Sequence, residues 1–88
     1  MRFVLDTDVV VAAMRSPAGA SAALLLAALE GRAQLLANVA LILEYESVCQ
    51  RAPHQAASGL SLLEVQQFVD GVAALSEPVI SHFVWRPQ

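Results

Sequence analysis

Apolar runs interrupted by single acids organise the first half of the chain. FVL stops at Asp6, Thr7 and Asp8 follow, and VVVAA restores the apolar character. Arg2 to Leu5 show no polar alternation, which predicts a short strand, covered on both faces and central in its sheet. For Val9 to Met14, the VVV triplet favours a continued strand by propensity. A one- or two-turn helix capped by Asp6 or Asp8 fits the DTD stretch equally well. The helix is preferred on topology, because a central strand must turn away at its carboxyl end. Ser16, Pro17 and Gly19 mark a loop, and a helix is expected from about Gly19 to Glu30. Leu25, Leu26 and Leu29 share one of its faces, and the near-absence of charge suggests cover on both sides.

Arg32 to Ala37 reads as a second strand. Asn38 then caps a helix over VALILEYESVCQ, with Leu41, Ile42, Tyr45, Val48 and Cys49 on its apolar side. RAPHQAASG holds a proline, a glycine and small polar residues, and is expected to be a loop. Ser61 with Glu64 three residues on is a capping box. Behind it Val65, Phe68, Val69, Val72 and Leu75 repeat at helical spacing. Glu77-Pro78 breaks that helix, and VISHFVW is expected to supply a third strand. The alternation is that of an α/β domain with a parallel sheet. Ligands of such sheets bind beyond the carboxyl ends of the strands, where Asp6 lies.

Length and composition narrow the function classes. A chain of 88 residues supports one small domain. Its hydrophobic fraction is 57%, counted without glycine; soluble domains average about 45–50% with glycine included. Part of the apolar surface is therefore expected to meet another chain. The formal net charge is -3, and the five arginines are scattered, so nucleic-acid binding through a basic patch has no support. A metal ion can still bridge an acidic protein and an acidic phosphodiester. Cys49 is the single cysteine, which excludes an intramolecular disulfide. The longest apolar run, Ala22 to Leu29, is too short to span a bilayer, and no signal-peptide pattern opens the chain. A cytoplasmic location is expected.

The candidate chemistry rests on Asp6, Asp8 and Glu44. Asp6 reads as a helix cap, a metal ligand, or both. Asp8 reads as a ligand or as a peripheral or capping acid. Glu44 falls on or beside the apolar side of its helix, whereas Glu46 falls further round and reads as solvated. Converging carboxylates repel unless a divalent ion neutralises them, and an oxygen-only set suits Mg²⁺ or Mn²⁺. Phosphodiester hydrolysis is the chemistry such a site performs. His54 and His82 lack ligand spacing, and Cys49 reads as a core thiol.

The stretch VLDTDVVVAAMRSPAGASAALLLAALEGRAQLLANVALILEYESV resembles the opening half of PIN-domain proteins, and most closely those described as toxin components of toxin–antitoxin systems. LSLLEVQQFVDGVAAL and FVWRP extend the resemblance over nearly the whole chain. It implies a three-layer α/β fold and a Mg²⁺- or Mn²⁺-dependent ribonuclease. It places the first acidic ligand on Asp6 and the second on Glu44, with Asp8 where the family has asparagine and Thr7 where it has threonine. It implies RNA as substrate and an antitoxin protein as partner. The family continues past the W-R-P segment into a further acidic loop and strand. Residues 1–88 are therefore expected to form a partial domain, shortened to about three strands, with weak or absent activity. The alternative is a non-catalytic remnant that serves as an oligomerisation or interaction domain. In either case a homo-oligomer is expected, at least a dimer.

Overall fold

The computed structural model describes residues 2–79. Strand β1 (Arg2–Val4) leads into helix α1 (Thr7–Arg15), then α2 (Ala20–Leu29), β2 (Gln34–Ala37), α3 (Val39–Cys49), α4 (Ala52–Ser58), α5 (Leu62–Leu75) and β3 (Ser76–Pro78). The strands form one parallel sheet in the order β1-β2-β3. Phe3 pairs with Leu35, and Leu36 pairs with Glu77. The α/β class and the parallel pairing agree with the sequence. The position of β1 does not. Among the described residues β2 is the central strand, with Leu35 and Ala37 buried, while β1 lies at an edge with Val4 57% exposed. An unbroken apolar run predicts cover, and β1 has it at Phe3, packed against the core, and at Leu5 just beyond its end.

Helices α1, α3 and α5 supply most of the core. Val10, Val11 and Met14 of α1 meet Tyr45 and Cys49 of α3 and Val65, Val69 and Val72 of α5 in one cluster with Leu35 of β2. The α5 stripe is the one expected. Ser61 closes its capping box in full: its hydroxyl accepts from the Glu64 N–H at 3.1 Å, and Glu64 Oε1 accepts from the Ser61 N–H at 2.9 Å. Two orphan donors of the first turn are thereby satisfied.

Three local expectations are corrected. RAPHQAASG contains the helix α4. Its proline sits in the first turn, where no intrahelical N–H is required, and Gly59 ends it in the left-handed region at φ 74°. The residues that read as loop signals are a helix start and a helix stop. Helix α2 is not covered on both sides: it touches α1 and α5, but Leu26 and Leu29 remain 51% and 67% exposed among the described residues. The third strand begins earlier than expected, directly after α5 and including Pro78. A proline at the end of an edge strand removes no needed ladder bond, and the next residue, Val79, donates its N–H to the Ala37 carbonyl at 3.0 Å. The expected strand over 79–85 otherwise lies outside the described residues. No single helix among them is long and apolar enough to cross a membrane.

Ser61→Ala is expected to remove the side-chain half of the capping box and lower stability by about 1 kcal/mol. Urea unfolding at neutral pH measures this. An unchanged midpoint would show that α5 is held by its valine stripe alone.

Candidate functional site

The site grows from the turn between β1 and α1. Leu5 is buried, Asp6 stands at the N-cap position of α1, and Thr7 begins the helix. The Asp6 backbone does the capping: its carbonyl accepts from the N–H groups of Val9 and Val10 at 3.0 and 3.2 Å. Its side chain makes no capping bond, so the exposed carboxylate is left for other contacts. Asp8 lies one residue further, exposed in the first turn of α1, where an acid favours the positive end of the helix.

Helix α3 brings the second acid. Adjacent residues on a helix diverge by about 100°, so Glu44 and Tyr45 point in different directions. Tyr45 goes inward, 1% exposed, and its hydroxyl donates to the Leu5 carbonyl at 2.6 Å. Glu44 goes to the rim, where its Oε2 accepts a hydrogen bond from the Thr7 hydroxyl. Thr7 is itself buried. Two neighbouring residues of α3 thus hold the residues on either side of Asp6.

Both acids act on the Tyr45 hydroxyl. The Tyr45 hydroxyl is pushed up from 10.0 to about 12, first by burial, then by the negative charge of Asp6, then by that of Glu44. Among the described residues neither acid has an arginine partner; the ion pairs there are Arg2–Glu77 and Arg32–Glu30. A cavity of about 350 Å³ opens beside Glu44, between the carboxyl ends of β1 and β2 and the first turns of α3.

The remaining candidates fall elsewhere. Glu44, expected on or beside the apolar side of its helix, is exposed. Glu46, expected to be the more solvated, is half-buried: Gln66 of α5 donates to its Oε2 at 2.7 Å and to Asp70 Oδ1 at 2.9 Å. Cys49 is fully buried, and burial pushes its thiol up, as suits a core side chain. His54 contacts Arg15 at 3.3 Å on the surface. His82 lies outside the described residues. Among the described residues no three His, Cys, Asp or Glu side chains gather into a metal-holding set, so Asp6, Asp8 and Glu44 do not form one.

A family model described as the PIN domain matches residues 2–87. The chain belongs to the PIN domain family. Members of that family are generally nucleases and depend on divalent metals. No curated protein and no solved structure matches the chain. Sequence reasoning placed Asp6 and Glu44 in this PIN domain but gave Tyr45 only a packing role. An aromatic at a helix position facing the core carries no mark of the carbonyl its hydroxyl will find.

Tyr45→Phe is expected to cost about 1–3 kcal/mol, because a buried carbonyl loses its donor. The pH dependence has a definite sign. The folded tyrosine ionises above the unfolded one, so its contribution is complete below pH 10.0 and is lost as pH climbs toward about 12. Cys49 acts in the same direction from its ordinary value of 9.0 upward. Urea unfolding between pH 8 and 12 should show a steeper alkaline loss in the native chain than in Y45F. Equal slopes would mean that Tyr45 ionises alike in both states.

Proposed function

We propose that the chain is a Mg²⁺- or Mn²⁺-dependent ribonuclease of the toxin-like kind, with Asp6 and Glu44 as the acids that hold the ion. The observation that carries this reading is the pair of exposed carboxylates, Asp6 flanked by the residues that Tyr45 and Glu44 bond, with no arginine partner for either acid among the described residues. The donor set fits such an ion: it is all oxygen, and Mg²⁺ commonly takes one or two carboxylates and keeps several waters. When bound, the ion supplies Lewis acidity toward a phosphodiester.

The protein's own groups set the geometry. The Thr7 hydroxyl fixes one oxygen of Glu44 and leaves the other open toward solvent. The α1 cap fixes the backbone of Asp6, and the Tyr45 bond to Leu5 fixes the strand end that carries it. Asp8 adds negative charge to the rim, which attracts a cation without bonding to it. With two acids to hold the ion among the described residues, turnover is expected to be slow.

Cleavage of single-stranded RNA with Mn²⁺ tests the reading. The native chain should cleave slowly, and Asp6→Ala or Glu44→Ala should lower the rate by about 100-fold or more. Cleavage without metal, or unchanged in both variants, would overturn the assignment. Mn²⁺-induced line broadening of the Leu5–Asp8 amides supplies a readout independent of turnover. Its absence at millimolar metal would count equally against the site.

We further infer that the protein acts in the cytoplasm as a toxin restrained by an antitoxin protein, and that it self-associates. Self-association is supported by α2, which carries no charged residue, and by the groove of about 580 Å³ it forms with α5. Leu26 and Leu29 stand exposed along that groove opposite Gly71 and Ala74. Sedimentation from low to high micromolar concentration should show a dimer that Leu26→Asp converts to monomer. A native chain that stays monomeric throughout would refute the inference.

A further inference from the structure

We propose that Thr7 is a positioning residue that sets the ion preference of the site. By holding one oxygen of Glu44, its hydroxyl leaves that acid a single free oxygen, which favours Mg²⁺ or Mn²⁺ over Ca²⁺. The proposal rests on the metal-dependent reading and adds which residue selects among the ions.

The placement of the hydroxyl carries it. Thr7 is the first residue of α1 and is 6% exposed, so its side chain has little access to water. A side chain branched at Cβ also has few rotamers in which to seek another partner. The hydroxyl donates to Oε2 of Glu44, an exposed residue on α3. A buried hydroxyl stripped of its acceptor is costly, so the fold itself favours keeping Oε2 where it is. Oε2 retains a second lone pair. An oxygen that is already shared is nevertheless a weaker donor to a cation, and a tethered carboxylate cannot turn freely to present both oxygens.

Ion chemistry turns that tether into a preference. Ca²⁺ takes about six to eight oxygens in a flexible arrangement and commonly draws both oxygens of one carboxylate. Mg²⁺ demands a near-octahedral set, keeps several waters and accepts one oxygen from each of one or two carboxylates. Mn²⁺ is served by the same oxygen donors. An acid with one oxygen committed suits the second pattern. Asp6 has no comparable tether at the helix cap, where its side chain makes no capping bond, so the discrimination resides at Glu44.

The test is NMR of the full chain, with Mn²⁺-induced broadening of the Leu5–Asp8 amides as the signal and Mg²⁺ or Ca²⁺ as competitor. In the native chain Mg²⁺ should restore the amides at about ten-fold lower concentration than Ca²⁺. Thr7→Val keeps the branched shape and removes the hydroxyl. It should weaken Mn²⁺ binding by about ten-fold or more and bring Mg²⁺ and Ca²⁺ within about two-fold of each other. Thr7→Ser keeps the hydroxyl and should restore the native preference. The ratio of the two competitors is read on one folded sample, so a loss of stability alone does not move it. A preference that persists in Thr7→Val, or that is absent from a native chain that binds Mn²⁺, overturns the role of Thr7. The native chain supplies a readout that needs no variant. The Thr7 hydroxyl proton, held by Glu44, should remain visible at saturating Mg²⁺, and its disappearance there would equally overturn the proposal. Absence of any Mn²⁺ broadening refutes the metal reading itself, so the two failures are told apart.

Discussion

The fold depends on a clasp between one turn and one helix. Tyr45 and Glu44, consecutive on α3, bind Leu5 and Thr7, the residues that flank Asp6. One bond is buried and ties side chain to backbone; the other lies near the rim and ties side chain to side chain. Together they fix where β1 ends, where α1 begins and how α3 lies against both. The residues on either side of Asp6 are thereby tied to a helix about forty residues further along the chain. The Tyr45 hydroxyl resists ionisation first because it is buried, and then because of the negative charges of Asp6 and Glu44.

Much of this was legible along the chain, and the failures have physical causes. The α5 stripe and its capping box were readable because both are local, with every partner within four residues. Asp6 was readable because an acid directly after an apolar strand must find a helix start, a cation or water to hold its charge. Helix α4 was missed because Pro53 and Gly59 carry opposite meanings inside a helix and at its ends, and only position tells them apart. The burial of Glu46 was missed because it depends on Gln66, which another helix delivers. Helical periodicity gives the face of Glu44 but not where α3 stops relative to the sheet edge. Without that, an exposed rim acid and a buried seam acid look the same.

The apolar excess of the composition has a visible location. It is not in the core, which Val10, Leu35, Tyr45 and Val65 fill without strain from buried, unbonded polar side chains among the described residues. It lies outside, on α2 at Leu26 and Leu29, on α3 at Val39 and Leu43, and on β1 at Val4. These patches differ in kind. The α2 face is free of charge and lies beside α5, whereas the Val4 surface adjoins the acidic rim. Large apolar patches on a soluble protein usually meet a partner or a ligand.

The all-parallel pairing also orders events during synthesis. Among the described residues no hairpin is available, so β1 has no strand to pair with until β2 has been made about thirty residues later. The hydroxyl that fastens the end of β1 arrives later still, with Tyr45, and β3 follows only after the whole of α5. A nascent chain emerging from the ribosome therefore carries FVL and VVVAA uncovered at least until α3 has been made. Those segments are the ones a holdase chaperone would be expected to grip, and pauses in elongation before α3 would lengthen that exposure.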